Sequence, residues 1–139
     1  MDDTGHHYLL DIVTEDTDFL KDEKKLQEFF SAVIDATRFS ILGFLSHKFT
    51  AGGEGVTGIY LLSESHLSYH TYPESDYMSI DIYTCGSECL KAVEEIERRL
   101  KHVKRSVIRY AMRGSRISVY GGSGLISEQF QGACYESQR

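Results

Sequence analysis

Between residues 7 and 14 apolar and polar positions alternate, with Tyr8, Leu10 and Ile12 on one side. A period of two predicts a β-strand with one buried face. After an acidic, turn-rich stretch ending at Asp22 the period changes: Leu26, Phe29, Phe30, Val33 and Ile34 recur at i, i+3, i+4, i+7 and i+8. That spacing makes one stripe of a helix of about four turns, which needs a flat apolar surface to pack on. Strand character returns over residues 40–49, with Ile41, Leu42, Phe44 and Leu45, until the glycine-rich loop Ala51-Gly52-Gly53-Glu54-Gly55 interrupts it. Three closely spaced strands follow, at 56–63, 66–71 and 77–84, joined through Glu64-Ser65 and Pro73-Glu74-Ser75-Asp76. Joints this short favour antiparallel neighbours. A second amphipathic helix covers residues 87–101, with Leu90, Val93, Ile96 and Leu100 turned inward, and a strand at 103–111 follows. The Gly- and Ser-rich tail, 112–139, reads as mostly irregular, with one further strand at 116–120.

The order strand–helix–four strands–helix–strand leaves few crossovers, so few strands can be parallel. It predicts an α+β fold: a two-layer α/β sandwich, mainly antiparallel sheet with two helices on one face. Several strands carry apolar residues on both faces, which points to a partner subunit over the other face.

With 139 residues the chain has room for one domain, 1–139. Its 41% apolar and 26% charged residues fit a globular protein and exclude wholesale disorder. No apolar run approaches the length of a spanning helix, so no membrane is expected. The N-terminus lacks an apolar signal core and the chain has three cysteines, Cys85, Cys89 and Cys134. An odd, low count predicts a reducing compartment, the cytoplasm. Fifteen basic against twenty-one acidic residues give a charge of −6, which argues against nucleic acid and mildly favours cationic small molecules. The cluster Arg98, Arg99, Lys101, His102, Lys104, Arg105 reads as a solvated helix end.

The chemistry-bearing residues fall between Gly55 and Gly86. Ser65 and His66 stand at a tight joint, where a serine is ordinary as a turn residue but also suits a nucleophile beside a base. His66, Ser68 and His70 share one face of a strand, and Leu67 and Tyr69 the other. His66 and His70 lie about 13 Å apart along an extended chain, too far to ligate one metal. No metal is expected from Cys85-x-x-x-Cys89, which lacks a second pair at zinc spacing. Cys85 ends a strand just before a helix, a place that suits either a small buried side chain or a reactive thiol. Neither a Walker loop nor a dinucleotide glycine pattern is present.

The run Gly55-Val56-Thr57-Gly58, then Leu62-Ser63-Glu64-Ser65-His66-Leu67-Ser68-Tyr69-His70-Thr71-Tyr72-Pro73-Glu74, then Ile80-Asp81-Ile82-Tyr83-Thr84-Cys85-Gly86 resembles the prokaryotic S-adenosylmethionine decarboxylase family. Several ordered motifs at the family's spacings carry the resemblance. It implies a self-processing enzyme of polyamine biosynthesis whose cofactor is a pyruvoyl group made from Ser65, with no pyridoxal phosphate and no metal. Ser65 would attack the carbonyl of Glu64 and convert the amide to an ester. Elimination would then cut the chain into a β chain, 1–64, and an α chain, 65–139.

By the same resemblance His70 takes the Cα proton, Thr57 assists processing and Cys85 reprotonates the product carbon. Imidazole is largely neutral, and a thiol largely protonated, at pH 7. The substrate's amine would form a Schiff base with the pyruvoyl ketone, which serves as electron sink. Phe49 would help hold adenine, Tyr72 would also line the substrate site, and Glu74 would bind ribose hydroxyls. Aromatic faces also suit a sulfonium. A homodimer of processed protomers, two α and two β chains, is implied.

Three departures bear on substrate. The loop before Val56 is about two residues longer than usual and carries Glu54. Tyr72 stands where Trp or Phe is common, and the first strand lacks the family's Glu-Leu-Trp-like pattern. Some relatives decarboxylate ornithine or arginine, and Glu54 could pair with a distal cation. S-adenosylmethionine is therefore the first reading and a basic amino acid the alternative. A non-catalytic regulatory paralogue is the third, and the presence of Ser65, His70 and Cys85 speaks against it.

Overall fold

The alternation at the start of the chain becomes strand β1, Gly5–Thr14, with Leu10, Ile12 and Thr14 buried. The computed structural model describes residues 2–116, so Cys134 and all but the first residue of the strand expected at 116–120 lie outside the described residues. The acidic stretch after β1 holds an element that its sequence pattern concealed. It is helix α1, Thr17–Lys21, whose Asp16 cap accepts the Phe19 N–H. Five residues are too few for a periodic stripe to be visible. Asp22 then caps helix α2, Glu23–Asp35, by accepting the Lys25 N–H. Its stripe of Leu26, Phe30, Val33 and Ile34 is buried as expected, with Phe29 at the margin.

Strands β2 (Ile41–Lys48), β3 (Val56–Leu62), β4 (Ser65–Tyr72) and β5 (Tyr77–Cys85) form successive antiparallel pairs. A short 3₁₀ turn at Pro73–Ser75 joins β4 to β5. Helix α3, Cys89–Arg99, and strand β6, Val103–Arg113, complete the fold. The sheet order is β2-β3-β4-β5-β1-β6, with every neighbouring pair antiparallel. The α+β two-layer sandwich expected from the sequence is the fold observed.

Two details depart from expectation. Leu90 is exposed, because α3 starts at Cys89 and its buried stripe is Cys89, Ala92, Val93 and Ile96. Strand β6 continues to Arg113, where pairing with Gly5 ends it.

The helices and the inward side chains of the sheet share one core built around Leu10, Phe30, Tyr60, Leu67, Ile80 and Ile82. Phe30 stacks on Tyr69 with ring centroids 4.2 Å apart. The other face of the sheet has no covering layer among the described residues. It presents Leu45, Ile59 and Leu61 at 76%, 47% and 56% exposure, three adjacent apolar side chains on β2 and β3. Beside them run His66, Ser68 and His70 on β4, then a polar group on β5, β1 and β6.

Candidate active site

The joint between β3 and β4 is a tight turn through Ser63 and Glu64. Ser65, its first strand residue, has φ +135°, a conformation that residues with a Cβ rarely adopt. The turn is held from two sides. Ser63 N–H donates to the Ser40 carbonyl at 2.9 Å, and Ser40 N–H donates to Glu64 Oε1 at 3.2 Å. The Cys85 N–H donates to the Glu64 carbonyl at 3.3 Å. A donor on that oxygen polarises the carbonyl to which Ser65 is attached and would stabilise an oxyanion forming there.

Cys85 itself is exposed at the end of β5, where Gly86 turns the chain with φ +84°. Cys89, four residues on, is sealed in the core, donates weakly to the carbonyls of His6 and Ile82, and is pushed by burial up to about 11. Of the two described cysteines, Cys85 is therefore the accessible one.

Thr57 and His70 face each other across β3 and β4, and Thr57 Oγ1 is hydrogen-bonded to His70 Nδ1. That contact fixes the imidazole and leaves Nε2 as its other working atom. The ring sits edge-on to Phe49, at 5.9 Å, and to Tyr72, at 4.4 Å. These three rings, residues 51–53, Gly55, Thr71 and Glu74 line a cavity of about 240 Å³. Phe49, Tyr72 and Glu74 thus gather around one cavity. Glu54 does not line this cavity. Its backbone has φ +62° and its carboxylate reaches Lys21 Nζ at 3.7 Å and Lys48 Nζ at 4.0 Å.

The structure does not bring all the expected groups together within one chain. Ser65 and His70 stand at opposite ends of β4, five residues and so about 17 Å apart. Ser65, Glu64 and Cys85 form one cluster; Thr57, His70, Phe49, Tyr72 and Glu74 form another.

A third group of residues comes together only through long-range strand pairing, and of its members sequence reasoning weighed only His66. His66 and His7 flank the Tyr83 ring at 5.7 and 5.8 Å, and the Arg113 guanidinium lies 4.4 Å above it. His7 Nε2 meets Asp81 Oδ1 at 3.1 Å. His66 Nδ1 is buried with no hydrogen-bond partner among the described residues. Further along the same face Asp11 binds Arg109 at 2.6 Å and accepts from the Tyr77 hydroxyl, which burial and that carboxylate push up to about 12.

Comparison with known proteins bears on this site. A family model described as S-adenosylmethionine decarboxylase matches residues 6–114. The S-adenosylmethionine decarboxylase proenzyme of Synechococcus sp. (strain WH7803) is 34% identical over 110 residues, which cover 76% of this chain and 84% of that protein. The proenzyme of the same name from Pyrococcus horikoshii is 34% identical over 103 residues, 73% of each chain. The crystal structure of the adenosylmethionine decarboxylase of Aquifex aeolicus superposes with a TM-score of 0.73 at 28% identity, covering 82% of this chain and 93% of that one.

Proposed function

The chain belongs to the S-adenosylmethionine decarboxylase family, and from that premise we propose that it cuts itself between Glu64 and Ser65 and then decarboxylates S-adenosylmethionine. The observation that carries the reading is the state of that peptide bond. A serine with a positive φ follows a carbonyl that already accepts a hydrogen bond from the Cys85 N–H. The serine hydroxyl adds to this carbonyl, the C–N bond breaks, and the freed amine takes the proton. The Cα proton of Ser65 is then removed, the ester C–O bond breaks, and Glu64 leaves as a carboxylate. Water replaces the nitrogen as ammonia, and a pyruvoyl group caps residue 66 onward. When present, that group supplies an electron sink for the bond to carbon dioxide.

This chain's own residues do the rest. Cys85 lies beside the Glu64 carbonyl and is accessible, as a proton donor to the product carbon must be. Phe49 and Tyr72 offer aromatic faces to the adenine and the sulfonium, and Glu74 offers a carboxylate to ribose hydroxyls. The pairing of Glu54 with Lys21 and Lys48 weakens the basic-amino-acid alternative, since its charge is already engaged outside the cavity.

The 17 Å separation along β4 supports a homodimer in which the two clusters meet across the interface. Two uncovered sheet faces pack about 10 Å apart. A twofold axis crossing the middle of β4 reverses that strand in the second copy. It therefore brings the Thr57–His70 pair of one protomer over the end of β4 at which Ser65 and Cys85 of the other stand. The apolar patch of Leu45, Ile59 and Leu61 supplies the dry contact such packing needs.

The test is direct. Intact mass of the purified protein should show two fragments, 1–64 and 65–139, and carboxyl-labelled S-adenosylmethionine should release labelled carbon dioxide. One uncut chain, or release from ornithine or arginine alone, refutes the reading.

A further inference from the structure

The loop at residues 51–55 is tethered at several points. Phe49 N–H donates to the Gly55 carbonyl at 2.8 Å and closes the loop at its base. Gly55 packs so closely on β4 that a Cβ there would come within 2.4 Å of the Thr71 carbonyl oxygen. At the loop's far side Gly53 lies on the carboxylate of Glu74, where a Cβ would come within 2.4 Å of Oε1 and 2.6 Å of Oε2. Between these two glycines Glu54 turns outward with φ +62° and reaches Lys21 on α1 and Lys48 on β2, one carboxylate oxygen toward each. Helix α1 is a firm anchor. Its Thr17 hydroxyl donates to Asp76 Oδ1 at 2.8 Å, and its Leu20 carbonyl accepts from the buried Thr71 hydroxyl at 2.7 Å.

We propose that Glu54 is a positioning residue for substrate: by bridging Lys21 and Lys48 it holds Gly53 against Glu74 and fixes that carboxylate along the wall of the cavity. The proposal rests on the reading that this cavity takes the nucleoside end of the substrate. It explains why a residue with a side chain occupies a left-handed position that glycine would fill at less cost. The carboxylate pulls the loop toward the two lysines, and the glycines on either side let backbone approach Glu74 and Thr71. A Glu54 that touched substrate would face the cavity; this one faces away from it, so its effect passes through the loop.

The experiment uses the full-length, self-cleaved enzyme and its Glu54→Gln and Glu54→Asp variants. Cleavage at Glu64–Ser65 proceeds in all three. At low salt the KM of Glu54→Gln for S-adenosylmethionine rises about three- to ten-fold, as two half-exposed ion pairs allow, while kcat stays within about two-fold. Glu54→Asp lies between the wild type and Gln. At high salt the wild-type KM approaches that of Glu54→Gln, because screening weakens the bridge in one and finds none in the other. Amide hydrogens of residues 51–55 exchange faster in Glu54→Gln than in the wild type. A Glu54→Gln enzyme with the wild-type KM at low salt overturns the bridge while leaving the assigned activity intact. A cleaved wild type that releases no carbon dioxide from S-adenosylmethionine overturns the functional reading, and this proposal with it.

Discussion

Ser65 combines a nucleophilic hydroxyl, a positive φ and a preceding carbonyl that a neighbouring strand has already engaged. The first of these was legible in the sequence, since Glu64-Ser65-His66 is contiguous. The other two were not, because the Cys85 N–H comes from a strand twenty residues away and the backbone angle is imposed by pairing. Ser65→Ala removes the hydroxyl without changing the turn, so the protein should run as one uncut chain on a denaturing gel and release no carbon dioxide. Cys85→Ala keeps the backbone N–H that binds the Glu64 carbonyl and loses only the thiol. It should therefore still yield two fragments but turn over about a hundred-fold or more slower, a loss typical of removing a general acid. Unchanged turnover would assign the product proton to another group.

At the scale of elements, the long amphipathic helix and the strand alternation were readable because each repeats its period several times. The departures lie where only a few residues decide. Helix α1 is one turn long, and its stability comes from its cap and from tertiary contacts instead of a stripe. The inward stripe of α3 begins at Cys89, so Leu90, apolar and in phase with Val93, is nonetheless left on the outside. Thr71 shows what joins α1 to the sheet: its hydroxyl accepts the Val56 N–H at 2.9 Å and donates to the Leu20 carbonyl at 2.7 Å. Thr71→Val matches the shape but leaves a buried N–H and C=O unpaired. It should cost about 1–3 kcal/mol, read as a lower midpoint in urea with an unchanged slope. On α3, hydrogen bonds from Arg98 and then Arg99 hold the Glu95 carboxyl below its ordinary range. A depressed folded-state value stabilises the fold above the unfolded value and is lost as pH falls through the folded one. Glu95→Gln should therefore melt lower than the wild type at pH 7, and the gap should close in acid.

The whole molecule decides whether the two clusters at the ends of β4 ever act on the same bond. Within one chain they cannot, since a rigid strand holds Ser65 and His70 about 17 Å apart. The strand read from the sequence over residues 66–71 already implies this separation, but a single chain's sequence does not show what a second copy brings to either end. Co-expression of a Ser65→Ala chain with a His70→Ala chain separates the possibilities. Expressed alone, each variant should stay uncut: the first has no nucleophile and the second no base. A mixed dimer of the proposed geometry holds one complete site, made from the intact serine of the His70→Ala chain and the intact histidine of the Ser65→Ala chain. Its second site lacks both. If equal amounts of the two chains pair at random, about half of the His70→Ala chains find the other variant as partner. That fraction should be cleaved, and the released 65–139 fragment should carry alanine at position 70 by mass. A site completed within one chain gives no such fragment at any mixing ratio. Leu61→Lys, placed in the exposed apolar patch on β3, should abolish this rescue by separating the copies, seen as a monomer in sedimentation.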